Sequence, residues 1–386
     1  MIGVPVHAHP PRPAPPVVAS PHSHQVSFGA VWGRVDRRTK RVVVRIGRRV
    51  AARERPHGRH FAFSLKLPRR DFVLRVIAIG RGGNASTVVR PVFGLPRRAA
   101  PRLRAGYKKP ALERRLRRLV RGYHGIGAFY VKDLGTGAGA AWNAAARFPA
   151  ASTLKLAIAV ELLRSIRGGP PHAHSYLGSL VRSMLRYSDN VAANHLLDVI
   201  GGGWRVTATM EELGLYDTEM FGGYLPGTVA PPRRTLSRKR HRRHRHRIPI
   251  TVVSEPSFGL GKYTTARDLG RLLTLVHLAA GREGALVHRF RGWFTVADAR
   301  YLLFELAHVH DPSKLGRYLH RGGIAVLHKA GWIEHARHDC GLVYWPGGVF
   351  VASVMTWNYA GTGTSSDVLA GRVARASLRL FRRLRR

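Results

Sequence analysis

The chain has 386 residues, of which 65 are Lys or Arg and 21 are Asp or Glu, so its formal net charge is +44. Hydrophobic residues make up 45% of the chain, which is enough for a substantial core, and the length favours two or three domains. The charge favours an anionic partner, which is nucleic acid, anionic lipid or acidic cell-wall polymer, unless it reflects only arginine spread along the whole sequence. The single cysteine, Cys340, excludes an intrachain disulfide.

Two features bear on export. No apolar run approaches the roughly 18 residues of a membrane span, so no transmembrane segment is expected. The first 24 residues lack the apolar core of a signal peptide. We therefore expect either that the protein is not exported by that route or that this start of the chain is not the natural one.

The amino-acid composition of the N-terminal part changes near residue 25. Residues 1–24 are rich in Pro and His without periodicity, which predicts a disordered tail. Residues 25–98 contain five short β-branched and aromatic segments between Arg, Gly and Pro, which predict a small all-β sandwich, similar in pattern to a bacterial immunoglobulin-like module. A spacer or packing role is the simpler interpretation of this module. Residues 99–110 are basic and contain proline, as in a linker.

The remainder, 111–386, predicts an α+β domain. A helix with Leu112, Leu116 and Leu119 on one face precedes a hairpin that turns at Asp133–Gly137. A second hairpin turns at 346–348. Further helices are predicted at Ser188–Val199, Thr264–Leu275 and Ser366–Leu384. This order favours terminal helices packed on one antiparallel sheet.

Residues 231–250 form a low-complexity insert that is almost wholly cationic, and self-repulsion predicts a solvated loop. His241, His244 and His246 lie close together, but their spacing matches no defined zinc site and no Cys or carboxylate is near. We therefore expect no metal and no cofactor.

The stretch FPAASTLKLAIAVELL, residues 148–163, places Ser152 and Lys155 three residues apart at the start of an apolar helix. Residues three apart share a helix face, and the positive end of the helix dipole favours an alkoxide. A partly desolvated lysine can lose its charge and accept the hydroxyl proton. The pair therefore predicts an activated nucleophile and its base, although alone it also fits a helix cap beside a lysine that reaches solvent.

Two further elements follow in order: Ser188-Asp189-Asn190 at the start of a helix, and Lys329-Ala330-Gly331 on a predicted strand. Ser-x-x-Lys, Ser-Asp-Asn and Lys-Thr-Gly are the signature elements of class A β-lactamases and penicillin-binding proteins. Residues from about 111 to 386 thus resemble the class A serine β-lactamase family, and flanking segments such as SDNVAANHLLDVIGG agree. The resemblance implies a helical subdomain plus an antiparallel sheet flanked by helices, that is, a β-lactamase/transpeptidase-like domain.

The resemblance also implies residue roles. Ser152 attacks a lactam or peptide carbonyl, Lys155 accepts its proton, and Ser188 relays a proton to the leaving nitrogen. Asn190 holds the substrate amide and orients Lys155, while Lys329 adds positive charge for the substrate carboxylate. Ala330 and Gly331 line the substrate strand, and backbone N–H groups of Ser152 and Trp332 form the oxyanion hole. Asp189 is expected to be a cap, Asn194 and His195 to be core or supporting residues, and Cys340 to be a core residue.

Two departures from the family pattern stand out. Ala330 replaces the usual Thr or Ser and removes one hydroxyl donor to the substrate carboxylate, worth about 1.5–3 kcal/mol. Where the family carries a glutamate that positions the deacylating water, this sequence reads FGGYL, with Tyr224 nearest. Glu255, after the insert, is a candidate substitute base, and the alternative is a surface residue before a proline.

Four functions remain open from the sequence. The protein is expected to hydrolyse β-lactams, to act on cell-wall peptides as a DD-peptidase-like hydrolase, to bind wall polymer or penicillin without turnover, or, least in keeping with the motifs, to bind nucleic acid. Its partners are a small β-lactam or cell-wall peptide and an anionic wall polymer, and we expect a monomer. The resemblance implies a secreted or wall-associated protein.

Overall fold

The computed structural model describes residues 10–225, 248–311, 313–319 and 323–385. The chain divides into two compact units, Met1–Arg97 and Arg98–Arg386. Within the described part, no helix is long and apolar enough to cross a membrane.

The first unit is a sandwich of two β-sheets. Its strands are β1 (Val17–Ser20), β2 (Gln25–Ser27), β3 (Ala30–Arg34), β4 (Arg41–Ile46), β5 (Arg49–Glu54), β6 (His60–Ser64), β7 (Asp71–Gly80) and β8 (Gly83–Gly94). The sheets have the orders β1-β3-β6 and β2-β8-β7-β4-β5. Val31 and Phe61 of the first sheet share a buried core with Val44, Leu74 and Val76 of the second, as the alternating pattern predicts.

Two predictions for this region need correction. The tail predicted over 1–24 was wrong for Val17–Ser20, because these residues pair antiparallel with β3 and satisfy its outer backbone groups. β5 was not predicted, because its sequence RVAARE has few strand-favouring residues; it forms through the tight turn at Gly47-Arg48. Immunoglobulin-like character stays a prediction.

The second unit is built on a six-stranded sheet, as the α+β prediction requires. Its strands are β9 (Tyr107–Lys108), β10 (Ile126–Asp133), β11 (Ala138–Trp142), β14 (Ala325–Ile333), β15 (Ala336–Trp345) and β16 (Gly348–Trp357). Their order is β14-β15-β16-β10-β11-β9, so β14 lies at one edge. β12 (Arg147–Pro149) and β13 (Tyr263–Thr265) form a separate antiparallel pair.

Nine helices are described in this unit. They are α1 (Pro110–Arg121), α2 (Lys155–Ile166), α3 (Tyr176–Arg182), α4 (Asn190–Val199), α5 (Gly203–Glu212), α6 (Ala266–Ala279), α7 (Ala285–Arg289), α8 (Val296–Leu306) and α9 (Thr364–Arg383). The helices predicted at 188–199, 264–275 and 366–384 correspond to α4, α6 and α9, with boundaries shifted by at most four residues.

Opposite sheet faces carry different helices. Phe129 and Val131 of β10 pack with α1 and α9, while Tyr130 between them meets Gly270 of α6, where an added Cβ would lie 2.5 Å from its ring. Strand alternation therefore fixes which helix covers which face. α8 and the 3₁₀ turn before α2 both pack against the edge strand β14, which brings the helical part to the strand that carries Lys329.

The predicted linker 99–110 is also shorter than expected. Tyr107–Lys108 joins the sheet parallel to β11, and Pro110 starts α1. Pairing with β11 satisfies backbone groups that an open edge would leave exposed. The predicted insert 231–250, with its three histidines, lies outside the described residues apart from 248–250, of which Ile248 is buried.

Candidate active site

Ser152 and Lys155 meet where a 3₁₀ turn becomes a buried helix. Ser152 lies in the turn Ala151–Leu154, and Lys155 is the first residue of α2, whose first nine residues are all buried. Lys155 Nζ donates to Ser152 Oγ over 3.1 Å. Ala151, directly before the serine, has φ +47°, a strained value for a residue with a Cβ. Such strain at this position is typical of a functional turn.

The second motif supplies partners for the same ammonium group. Lys155 Nζ also donates to the backbone oxygen of Ser188 over 2.5 Å and to Asn190 Oδ1 over 2.6 Å, with Ser188 Oγ at 3.4 Å. Ser188 adopts a left-handed backbone, φ 61°, at the end of a π-helical turn. This geometry directs both its carbonyl and its hydroxyl towards Lys155.

The third motif approaches from the sheet edge. Lys329, on β14, is buried, and its Nζ donates to Ser188 Oγ over 3.0 Å and to the Ala330 carbonyl over 3.0 Å. Ser188 Oγ is therefore contacted by both lysines and links them. All three sequence motifs meet in one hydrogen-bonded group, as the resemblance predicts.

The lysines are poised to exchange protons near neutral pH. Burial, followed by repulsion from Lys329 and Lys262, lowers the pKa of Lys155 to about 7, although Asp189 opposes the shift. Burial is also the main cause that lowers the pKa of Lys329 to about 8. A substantial fraction of Lys155 is therefore neutral at pH 7 and able to accept a proton from Ser152.

Gly331 allows the strand to approach the serine closely. A Cβ there would lie 2.7 Å from Ser152 N and 2.8 Å from Thr153 N, which no side chain tolerates without displacing backbone. Ala330 is buried beside it, whereas the next residue, Trp332, is 65% exposed. The glycine thus leaves the Ser152 N–H unobstructed by the strand.

Tyr224 packs against Lys155 and contacts the residue before Ser152. Its ring centroid lies 4.4 Å from Lys155 Nζ, and its hydroxyl donates to the Ala151 carbonyl over 3.1 Å. Its backbone N–H donates to Asn194 Oδ1 over 2.7 Å. Burial raises the pKa of the phenol far above its usual value, so it stays protonated at neutral pH. The position nearest to the family glutamate is therefore filled by a neutral aromatic ring.

The structure does not bring Glu255 to the serine. Its two carboxylate oxygens accept from the backbone N–H of Arg147, on β12, over 2.8 Å and from the Arg147 guanidinium over 3.1 Å, and Glu255 itself is exposed. Among the described contacts, neither Ser152 nor Lys155 has a carboxylate oxygen as a hydrogen-bond partner. The alternative interpretation of Glu255, a surface residue, agrees with this placement.

Other predicted residues divide into supporting and surface positions. Asp189 caps α4 by accepting from Val191 N and Ala192 N, as predicted. Asn194 is buried and holds the Tyr224 backbone, but the prediction for His195 was wrong because it is exposed. In α4 the residues at 191, 195 and 199 share the solvent face. Cys340 is buried, with a raised pKa, and donates to the Lys329 carbonyl.

Lys262 also belongs to the site, although it was not predicted from the sequence. Its Nζ donates to the Gly223 carbonyl over 2.6 Å and lies 4.8 Å from the Tyr224 ring centroid. It supports the loop and adds positive charge beside Lys155. The only local signal was a lysine next to the strand YTT, which indicates no role by itself.

This geometry brings Ser152, Lys155, Ser188 and Lys329 into one hydrogen-bonded site, and a family comparison covers the same part of the chain. The model of the Beta-lactamase enzyme family matches residues 111–172 and 165–381, so the chain belongs to this family. No curated protein matches the chain.

Several solved structures have a similar fold. PBP-A is 21% identical, with a TM-score of 0.55, over 73% of this chain and 100% of that one. A β-lactamase from Sphaerobacter thermophilus is 20% identical, with a TM-score of 0.51, over 70% and 96%. A PBP-A variant with a leucine replaced by glutamate, in an acyl-enzyme complex with penicillin G, has a TM-score of 0.54 at 21% identity, over 73% and 100%. At these identities the likeness shows the fold.

Proposed function

We propose that the protein is a serine hydrolase that reacts with β-lactams or related cell-wall amides through an acyl-enzyme on Ser152, and that it releases the acyl group slowly. The proposal rests mainly on the contact between Lys155 Nζ and Ser152 Oγ, together with a Lys155 pKa of about 7. A lysine at this pKa is a general base near neutral pH, and such bases contribute about 10²–10⁴-fold to rates.

In the acylation step, neutral Lys155 takes the Ser152 proton while Oγ bonds to the substrate carbonyl carbon. Asn190 and the Ser188 carbonyl hold Lys155 in place for this transfer. The Ser152 and Trp332 backbone N–H groups stabilise the oxyanion, where loss of one donor costs about 3 kcal/mol. The carbonyl–nitrogen bond then breaks, and the nitrogen receives its proton from Ser188 Oγ, which Lys155 or Lys329 re-protonates.

Two features bear on the substrate. Lys329 places a buried positive charge beside Ser188, which suits a ligand with a carboxylate near the scissile amide. Ala330 offers no hydroxyl to that carboxylate, so affinity for penicillins is weaker than with Thr at this position by about 1.5–3 kcal/mol.

The deacylation step lacks its usual base. Tyr224 is protonated, and its hydroxyl donates a hydrogen bond to the Ala151 carbonyl. Glu255 forms an ion pair with Arg147. No described carboxylate contacts Ser152, so water attack on the ester has only Lys155 to assist it. A long-lived acyl-enzyme follows.

This observation also supports a second candidate, a DD-peptidase-like or non-turning-over penicillin-binding protein, in which the same acyl-enzyme forms on a wall peptide or persists. PBP-A, whose name and acyl-enzyme complex with penicillin G point to penicillin binding, makes this candidate more specific. Both candidates share the Ser152 ester, and both fit a secreted or wall-associated location.

The test is intact-mass spectrometry of the full chain after a penicillin is added, followed by peptide mapping. We expect a mass increase of one penicillin on the peptide that contains Ser152. In the Ser152→Ala variant the adduct is absent, while Ser254→Ala, an exposed serine of the same unit, reacts as the unmutated protein does. An unmutated protein that forms no adduct would refute the β-lactam part of the proposal.

A further inference from the structure

The first unit has a basic face that the Ser152 chemistry does not use. Residues 1–97 contain 19 Lys or Arg and only 3 Asp or Glu. On the five-stranded sheet, the side chains of Arg45 and Arg75 lie directly opposite each other on neighbouring antiparallel strands. Both are exposed. Like charges in this arrangement repel, so the pair destabilises the sheet in the absence of an anion.

The strand register shows how far this face extends. One cross-strand row reads Val50, Arg45, Arg75, Val88, and the next reads Arg53, Val43, Ile77, Ser86. Arg41 lies opposite Ile79 in the row beyond, and Arg48 stands in the turn between β4 and β5. We define the basic face as Arg41, Arg45, Arg48, Arg53 and Arg75. No aromatic or acidic residue occupies these rows.

The basic face contains a depression of about 450 Å³ lined by Arg45, Arg48, Arg75, Ile77, Asn84 and Ser86, among others. None of the three acids of residues 1–97 lines it. Glu54 lies opposite Val42, whose side chain is buried on the other face of the sheet. Guanidinium, amide and hydroxyl donors therefore converge on a space without a carboxylate.

These donors fit a phosphate group better than a carboxylate. A guanidinium fork binds phosphate oxygens bidentately, and two such forks with Asn84 and Ser86 provide more donors than the roughly four acceptor positions of one carboxylate. Arginines in successive rows suit a ligand that repeats its charge. Proteins that bind single-stranded nucleic acid stack its bases on aromatic side chains, and this face has none, so a polymer without bases is favoured.

We propose that the basic face binds a phosphate-bearing polymer without nucleobases, of the polyol-phosphate class, with one phosphate held in the depression between Arg45 and Arg75. The site lies wholly in the first unit and does not depend on the chemistry at Ser152. The sandwich then acts as an attachment module, in place of the plain spacer that its sequence pattern suggests.

The test compares full-length variants of equal charge for binding to a defined glycerol-phosphate oligomer. Removing the arginine pair with R45Q/R75Q is expected to weaken binding about tenfold or more, as for the loss of hydrogen bonds to a charged group. The matched control, R34Q/R59Q, changes two exposed arginines of the same unit outside the basic face and is expected to change affinity less than about twofold. Hydrogen exchange should show protection at residues 45–48 and 84–86 on binding.

Three results would overturn the proposal. The first is equal loss of affinity in both double variants, which would mean that net charge alone is sensed. The second is no binding of the oligomer by the unmutated chain. The third is equally tight binding of single-stranded DNA or polyglutamate of the same charge, which would assign the face to polyanions of another class.

Discussion

Two groups of residues near Ser152 differ in what they offer the proposed reaction. In the first group, Lys155, Ser188, Asn190 and Lys329 are connected by hydrogen bonds, and the pKa values of the two lysines lie near 7 and 8. The second is Tyr224, which presents a neutral ring and a hydroxyl that is already bonded to the Ala151 carbonyl. Under the proposed mechanism, the first group supports formation of the ester, and the second provides no base for its hydrolysis. The proposal therefore predicts that formation and breakdown of the acyl-enzyme can be changed separately.

The largest expected effect is on the acylation rate and comes from loss of the proposed base, Lys155. Lys155→Ala removes the base and is expected to slow acylation by about 10²–10⁴-fold, measured as adduct formation by intact mass. Lys132→Ala, a lysine of β10 that donates to the Arg104 carbonyl, is the matched control and should react normally. Acylation at the unmutated rate in Lys155→Ala would assign proton transfer to another group.

The next effect concerns Tyr224 and the lifetime of the acyl-enzyme. Tyr224→Glu places a carboxylate where the ring now lies and is expected to shorten the acyl-enzyme lifetime by about 10²-fold or more, because a positioned base can activate water. Tyr224→Phe keeps the ring and loses only the hydroxyl, so its adduct should persist. Decay of the adduct after a desalting step measures both. An equally long lifetime in a folded Tyr224→Glu variant would mean that the missing base does not limit deacylation.

A smaller effect is expected at the substrate strand. Ala330→Thr restores a hydroxyl beside Lys329 and should raise the second-order acylation rate for penicillins about tenfold or more, in line with one hydrogen bond to a charged group. Ala330→Val has nearly the same shape without the hydroxyl and serves as the control. Equal gains in both variants would trace the effect to packing.

The smallest effect is a shift in pH dependence. Acylation requires neutral Lys155, so its rate should rise with pH through a midpoint near 7. Lys262 lowers that pKa by repulsion, and Lys262→Gln should therefore move the midpoint upward and slow acylation at pH 7. The pH–rate profile of adduct formation measures the shift. A midpoint that moves downward would contradict the assigned role of Lys155.

The part of the site that consists of contiguous motifs could be predicted from the sequence. Ser152 and Lys155 are three residues apart, and residues 188–190 follow one another, so local spacing indicated their chemistry before any fold was known. Strand alternation likewise predicted most of the sandwich core. β1 and β9 were not predicted because they are edge strands of four and two residues, too short to show an alternating pattern, and they form by pairing with a neighbour.

The part of the site around Tyr224 depends on contacts between segments that are distant in sequence. Tyr224 reaches Lys155 through a loop held by Asn194 on α4 and by Lys262, which follows the insert. No spacing rule connects 155, 194, 224 and 262, so the sequence indicated only that a glutamate is missing there. The same limit applies to Glu255, whose pairing with Arg147 of β12 joins residues 108 positions apart.

A slowly hydrolysed acyl-enzyme on Ser152 can be tested by the pre-steady-state time course of a chromogenic cephalosporin with the unmutated protein. We predict a burst of one product equivalent per chain, followed by a slow steady rate, because the site supports acylation in the proposed mechanism and does not support deacylation. Linear turnover without a burst would contradict it, since the ester would then break down faster than it forms.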